Sequence, residues 1–186
     1  MEEPIVKKAN PGPLGLLGFG MTTILLNLHN AGIIELSVVI ASMGFALGGF
    51  AQIIAGVFEM KQGNTFGGTA FLAYGSFWWS LVYIWFNPAD KMNAADGKSM
   101  GFYLLIWGIF SLFMFIGTLK HRRAIQITFI TLTILFLGLA VYDFSGIAVL
   151  GIISGYIGIF CGASAFYNAV AQVLKEEFGK ELLPLG

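Results

Sequence analysis

Residues 99–142 read SMGFYLLIWGIFSLFMFIGTLKHRRAIQITFITLTILFLGLAVY, two long apolar runs separated by the short polar segment Lys120–Arg123. The runs 99–119 and 124–142 contain no Asp, Glu, Lys or Arg and are 21 and 19 residues long. A helix that crosses the hydrocarbon core of a bilayer needs roughly 17–25 mainly apolar residues. This pattern therefore predicts two membrane helices joined by a tight polar turn.

The rest of the chain repeats the pattern in four further windows that are free of charged residues. A transmembrane β-barrel would instead show segments of about 10 residues that alternate in polarity, and these runs do not alternate. The connecting segments are too short to hold a soluble domain. We therefore predict an all-α integral membrane protein whose single domain covers residues 1–186, with helices near residues 13–30, 36–58, 66–86, 100–119, 124–142 and 147–173.

The composition excludes several classes of function. Of 186 residues, only 11% are charged, whereas a soluble domain usually has about 25%. The ten basic and ten acidic residues cancel, so no net charge points to a nucleic-acid partner. The single Cys161 and the two histidines, His29 and His121, rule out an intramolecular disulfide and a His- or Cys-rich metal site. Motifs of nucleotide-binding and hydrolytic enzymes are also missing, so we expect neither an enzyme nor a cofactor.

The distribution of basic residues predicts the orientation of the helices. Cytoplasmic segments of membrane proteins carry an excess of Lys and Arg. Only Lys91 and Lys98 lie on one predicted side, so we expect the opposite side and both termini to be cytoplasmic, in a multi-pass protein of the plasma or bacterial inner membrane. The eight basic residues of that cytoplasmic side are Lys7, Lys8, Lys61, Lys120, Arg122, Arg123, Lys175 and Lys180.

Polar residues follow one face of three predicted helices, at the spacing of an α-helix. An amide in hydrocarbon needs a hydrogen-bonding partner, so these faces should turn toward other helices or toward a water-filled path. Both interpretations remain open for each face, and three such faces together favour a polar conduit. The faces comprise Phe19, Thr22 or Thr23, Asn27 and Asn30; Ser42, Phe45, Gly49, Gln52, Gly56 and Glu59; and Cys161, Ser164, Asn168 and Gln172.

The predicted spans contain no Lys or Arg that could balance a permanent anion at the centre of the membrane. An anionic solute must then be small, be neutralised by a proton, or be held by hydroxyl and amide donors. A monocarboxylate, whose pKa is about 4–5, fits all three conditions. Glu59 could exchange protons at the end of its polar face, although a solvated position at the helix end is the alternative.

Small residues and tryptophans suggest how the helices pack. Glycines at small-xxx-small spacing allow close helix contacts, here either within one bundle or between subunits. Trp78, Trp79, Trp85 and Trp107 are expected to anchor helix ends at the membrane interface. The glycine pairs are Gly44 with Gly48, Gly151 with Gly155, and Gly158 with Gly162.

The segment Asn10-Pro-Gly-Pro-Leu-Gly-Leu16 closely resembles the signature of the acetate uptake transporter family, also called the GPR1/FUN34/YaaH family, with Gly12 at a position where alanine is usual. The resemblance continues through residues 18–30, 52–56, 63–67, 74–78 and 161–165 and so covers nearly the whole chain. It implies six membrane helices with cytoplasmic termini, a homohexamer, and a pathway through each protomer. It also implies uptake of acetate and, in some members, of succinate or other short carboxylates, by proton symport or by channel-like passage.

The resemblance further implies an apolar constriction, which falls on Phe19, Tyr74 and Leu132. Leu135, one turn beyond Leu132, is the alternative for the third position. A ring of apolar groups resists passage by dewetting and penalises a bare carboxylate more than a protonated acid. The remaining predicted lining of the pathway comprises Asn10, Pro11, Pro13, Leu14, Thr22, Gln52, Ala165 and Asn168.

The function predicted from these features is acetate uptake coupled to protons. A passive channel for acetate or for another small solute such as ammonia, urea or formate is the alternative within transport. A membrane sensor that binds acetate without moving it belongs to a different class. The residues alone do not separate symport from channel, because both need the same lined path.

Overall fold

The computed structural model describes residues 9–86 and 94–186. In these ranges the chain is all-helical, as predicted, and forms six helices. They are α1 (Gly12–Asn30), α2 (Val38–Lys61), α3 (Thr65–Phe86), α4 (Gly97–Gly117), α5 (Arg123–Ser145) and α6 (Ala148–Phe178). A 3₁₀ turn, Thr118–Lys120, extends α4 toward α5. The basic loop residues Lys7, Lys8 and Lys91 lie outside the described residues.

The helix ends depart from the predicted ranges for local reasons. α6 continues to Phe178, five residues past the predicted end, because its last turn is exposed and tolerates charged side chains there. It ends at Gly179, whose φ of 67° is a left-handed conformation that glycine adopts without strain. α4 begins at Gly97 because Asp96 caps it: the Ser99 N–H donates to Asp96 Oδ1 at 2.6 Å. This hydrogen bond lowers the pKa of the Asp96 carboxyl.

Four of the six helices are long and apolar enough to cross a membrane: α2, α4 with its 3₁₀ turn, α5 and α6. α1 and α3 are not among them. α1 carries polar side chains such as Thr22, Thr23 and Asn27, and all three are buried inside the bundle. A helix whose polar face is covered by its neighbours does not need the uniform apolar surface that lipid requires.

The helices form a ring in chain order. α1 packs between α2 and α6, α2 packs against α3, and α5 packs between α4 and α6. Side chains close the ring between α3 and α4, where Tyr74 Oη lies 2.9 Å from Ser111 Oγ and Ser80 Oγ lies 2.6 Å from Tyr103 Oη. The space inside the ring is where a pathway can lie.

A π-helical stretch, Gly44–Ala51, interrupts the α-helical geometry of α2. The predicted polar face of this helix assumed uninterrupted α-helical spacing, and that part of the prediction is wrong. Phe45 is 57% exposed on the outside, whereas Gln52 and Glu59 are 1% and 6% exposed. The wider π turn rotates the first part of the face away from the second. Trp79 Nε1 donates to the Phe45 carbonyl at 3.0 Å within this stretch.

Several of the glycines, and Trp78 among the tryptophans, pack against other helices of the same chain. A Cβ on Gly162 would stand 2.7 Å from the Gly20 carbonyl oxygen, and one on Gly158 would collide with the Asn27 side chain, so this spacing seats α6 against α1. On α2, Gly44 and Gly48 make room for Trp78 in the same way. Trp78 is only 2% exposed, which corrects the expectation that it anchors a helix end at the interface.

Candidate functional site

Two cavities lined by described residues lie inside the ring of helices. The first, here called the proximal cavity, has a volume of about 380 Å³ and lies nearest Asn10 and the start of α1. The second, the distal cavity, has a volume of about 180 Å³ and lies nearest His29 and the end of α1. A wider hollow of about 710 Å³, here called the vestibule, shares Asn10 and His121 with the proximal cavity.

Phe19 and Leu132 line both cavities and therefore stand at their junction. Their side chains are buried, at 6% and 2% exposure. Tyr74 lines the proximal side, with its ring centroid 5.9 Å from that of Phe19 and its hydroxyl bonded to Ser111. Leu135 lines the distal cavity but not the proximal one. The structure thus brings together the three side chains that the resemblance assigned to a constriction, from α1, α3 and α5.

The proximal cavity combines apolar walls with amides and one carboxyl group. Gln172 accepts from Asn10 Nδ2 at 3.2 Å and donates to Asn168 Oδ1 at 3.0 Å, which ties the start of α1 to the end of α6. Glu59 lines the cavity and accepts from Asn64 Nδ2 at 2.7 Å. This end of the cavity therefore presents hydrogen-bonding groups that suit a small carboxylate or its acid.

The distal cavity is mostly apolar, with a polar edge at the end of α1. Asn27 donates to the Thr23 carbonyl at 2.9 Å and accepts from Asn30 Nδ2 at 3.0 Å. His29 Nδ1 lies 3.1 Å from the Ile34 carbonyl oxygen, which assigns the Nδ1 proton to that hydrogen bond. Asp143 lines the same cavity from α5.

Four buried polar atoms have no hydrogen-bond partner among the described residues: Thr22 Oγ1, Thr23 Oγ1, Gln52 Oε1 and Trp78 Nε1. Buried polar groups in proteins are normally satisfied. Gln52 lines the proximal cavity, and Thr23 and Trp78 line the distal one. Each cavity therefore has at least one lining residue with a buried donor or acceptor that lacks a partner among the described residues.

The other predicted lining residues are dispersed. Asn10 and Gln52 line the proximal cavity, and Asn168 lines the vestibule. The remaining five line none of these three spaces: Leu14 is 41% exposed, Thr22 and Ala165 are buried between helices, and Pro11 and Pro13 lie at the start of α1. Because Asn10 accepts from the Gly12 N–H at 3.0 Å, it also helps to cap α1.

Sequence reasoning missed His121 and Asp143 as parts of the site. His121 lies in the turn before α5, where it lines both the vestibule and the proximal cavity and stacks on Phe66 at a centroid distance of 5.0 Å. Its place among basic loop residues gave no sign of this. Asp143 follows the fifth apolar run and resembled an ordinary boundary residue.

The side chains of the described part of the chain do not form a metal site, since His, Cys, Asp and Glu do not cluster there in groups of three. Cys161 is fully buried in α6, where its thiol lies 3.4 Å from the Thr128 carbonyl oxygen. A packing role for this thiol suits its surroundings.

Comparison with known proteins agrees with the family resemblance of the sequence motifs. Residues 1–179 match the sequence model of the GPR1/FUN34/yaaH family. The chain is 53% identical over 181 residues to the succinate-acetate/proton symporter SatP of Escherichia coli strain K12, covering 97% of this chain and 96% of that protein. Acetate permease A of Emericella nidulans is 32% identical over 197 residues, covering 96% of this chain and 66% of that protein.

A solved structure is also similar to this one. The structure of the bacterial acetate channel SatP matches with a TM-score of 0.94 and 53% identity, over 97% of this chain and 100% of that chain. At this level of similarity the two chains share the arrangement of their helices.

Proposed function

Because the chain belongs to the GPR1/FUN34/yaaH family, we propose that it carries acetate across a membrane through a path inside its own six-helix bundle. The chain is a multi-pass membrane transport protein and not an enzyme, as its relatives are symporters, permeases and channels. The observation that carries the proposal is the pair of cavities that meet at Phe19 and Leu132.

The path begins at the vestibule. Lys120, Arg122 and Lys175 line it together with Glu176, and the excess of basic over acidic side chains raises the local concentration of anions. Glu181 offsets part of this charge, since its carboxylate lies 3.4 Å from Arg122 and 3.9 Å from Lys175. The proximal cavity follows, where Asn10, Gln52 and the neighbouring amides replace the water that a carboxylate loses.

Phe19, Tyr74 and Leu132 then form the constriction. An apolar ring of this kind excludes water and raises the free energy of a charged solute more than that of a neutral acid. Leu132 is favoured over Leu135 for the third position, because Leu132 lines both cavities and Leu135 only one. The distal cavity leads from the ring to the other end of the bundle.

Proton coupling is part of the proposal. The described residues that line the two cavities include no Lys or Arg, so the protein supplies no fixed cation to balance an acetate anion there. Glu59 is the group proposed to exchange protons with the solute in the proximal cavity. Passive passage of acetate is the alternative, and the names of the relatives cover both, since one is called a symporter and one a channel.

The wider setting follows the same reasoning. We place all six helices across the plasma or inner membrane, with both termini in the cytoplasm, and assign the outer faces of the bundle to lipid and to neighbouring protomers of a homohexamer. α4 suits this arrangement, because only 22% of its apolar, membrane-length stretch is buried inside the chain. The rest of that stretch is available to lipid or to a neighbouring protomer. Succinate and other short carboxylates are proposed as further substrates.

The test is uptake of labelled acetate into proteoliposomes, with and without an imposed pH gradient. Protein-free liposomes are subtracted, since acetic acid crosses lipid unaided. Ala70→Phe, which fills part of the proximal cavity, should lower the protein-dependent flux at least fivefold, whereas the same change at the exposed Ala148 should not. A flux that requires the pH gradient supports symport, and a flux that follows the acetate gradient alone supports a channel.

Acetate sensing is the competing class. A protein that binds acetate in equilibrium dialysis but shows no flux above protein-free liposomes would contradict transport and support sensing.

A further inference from the structure

The distal cavity contains a carboxyl group that the proposed path does not use. Asp143 lines this cavity of about 180 Å³ near the end of α5. Within the described part of the chain its side chain makes no hydrogen bond or ion pair. The ion pairs recorded there join Glu181 to Arg122 and to Lys175 at the vestibule. The charge of Asp143 is therefore not balanced by a bonded cation.

The walls of the distal cavity, which the half-buried Asp143 lines, are largely apolar. Phe77, Trp78 and Phe136 line the same cavity and are 6%, 2% and 3% exposed. In such surroundings the effective dielectric constant is well below that of water, so the repulsion between two negative charges is weakly screened. A solute that has passed Phe19 and Leu132 must enter this small space. It then lies close to the Asp143 carboxylate.

Other ionisable groups at this end differ in how they can affect Asp143. Gly97 brings the start of α4 against the Asp143 backbone, since a Cβ on Gly97 would stand 2.9 Å from the Asp143 carbonyl oxygen. The side chains at the start of α4 are exposed, so solvent and salt screen their charges. The ionisable groups are His29 on α1, the exposed Glu35 in the loop before α2, Tyr142 on α5, and Asp96 and Lys98 at the start of α4.

We infer that Asp143 is a specificity-determining residue, a charge filter that discriminates against dicarboxylates in the distal cavity. The inference rests on the proposed transport function and assigns this acid a role within it. A neutral acid meets no repulsion from the Asp143 carboxylate, a monocarboxylate meets it once, and a dicarboxylate meets it twice. The filter therefore changes the ratio of dicarboxylate to monocarboxylate flux, which a purely structural role for Asp143 would not change.

The experiment compares labelled succinate and acetate uptake in proteoliposomes at pH 7.5. At this pH both carboxyl groups of succinate are ionised. Asp143→Asn keeps the shape of the side chain and removes its charge. We expect the succinate-to-acetate ratio to rise roughly five- to tenfold, the size expected when one charge–charge repulsion is removed. Glu35→Gln, an exposed acid at the same end, is the matched control and should leave the ratio within twofold.

A second variant tests the inference in the opposite direction and covers the case in which Asp143→Asn fails to assemble. Asn30→Asp adds a carboxylate to the distal cavity and should lower the ratio at least threefold. If the wild-type protein moves acetate but neither variant shifts the ratio, the filter is wrong and the transport function stands. If the wild-type protein moves no acetate, the proposed transport function and the charge filter are both wrong.

Discussion

At the scale of single residues, Leu132 is the side chain on which the proposed path depends most directly. It is 2% exposed and lines both cavities, whereas Leu135 on the same helix lines one of them. The resemblance to the family and the position of Leu132 between the cavities therefore both point to a role in the constriction. Nothing in its immediate sequence, where leucine, isoleucine and phenylalanine are abundant, would distinguish it from its neighbours.

Replacing Leu132 with alanine should join the two cavities and widen the range of solutes toward lactate. We expect the lactate-to-acetate uptake ratio to rise at least threefold, because three carbons are removed from the narrowest part of the path. If Leu132 instead only packs between helices, the change should cost about 2–5 kcal/mol as a cavity and reduce folded protein without changing selectivity. Leu135→Ala is the matched control, and a raised ratio in that variant alone would move the constriction to Leu135.

Glu59 provides the second prediction at this scale. At constant total acetate, uptake should rise as the external pH falls, since the neutral acid becomes more abundant and passes the apolar ring more easily. Glu59→Gln removes the proposed proton-exchanging group and should reduce this acid stimulation at least threefold. Glu177→Gln, an exposed acid near the end of α6, should retain it. A protein-dependent flux that is unchanged between pH 5 and pH 7 in the wild type would rule out proton coupling.

At the scale of helices, the contact between α1 and α6 holds the path together. Gly20, Gly155, Gly158 and Gly162 bring the two backbones close enough to exclude a side chain between them. Close approach of this kind gains dispersion contacts that larger residues would prevent. Asn10 and Gln172, which lie at one end of the same pair of helices, then reach hydrogen-bonding distance.

Gly162→Ala should disturb this contact. Its Cβ would stand 2.7 Å from the Gly20 carbonyl oxygen, a backbone atom that cannot move aside, so overpacking should cost about 1–3 kcal/mol. At Gly151, on the same helix, an added Cβ would lie 3.2 Å or more from the Tyr142 ring, which can rotate away. Thermal unfolding in detergent should therefore show a clearly lower Tm for Gly162→Ala than for Gly151→Ala. Equal Tm values would show that the α1–α6 contact tolerates added volume.

At the scale of the whole molecule, the orientation of the bundle can be read by labelling single thiols. The only native cysteine, Cys161, is fully buried and should stay unlabelled. Lys98→Cys adds one thiol at the start of α4, and Lys120→Cys adds one in the 3₁₀ turn that follows the other end of α4. In intact cells an impermeant maleimide should label position 98 and not position 120. Labelling of both positions from outside would contradict the six-span arrangement.

The proposed homohexamer can be tested by its mass. Six copies of the 20.1 kDa chain amount to about 121 kDa of protein. Native mass spectrometry of the detergent-released protein should show this species. The reason is that the exposed apolar faces of α4 are proposed to pack against neighbouring protomers. A spectrum dominated by the monomer at low detergent would contradict the hexamer and leave the path within each chain unaffected.

The sequence by itself determined the helical class, the number of helices and their approximate positions, because charged side chains are excluded from long apolar segments and so mark where those segments end. It also carried the family, through motifs distributed over nearly the whole chain. Only the tertiary structure decided which residues share a cavity. The π turn of α2 moved Phe45 to the outside while Gln52 and Glu59 stayed inside, and no α-helical spacing predicts such a rotation. His29 and Asp143 lie far apart in the chain and line one space because α1 and α5 belong to the same ring of helices, a proximity that depends on packing rather than on local sequence.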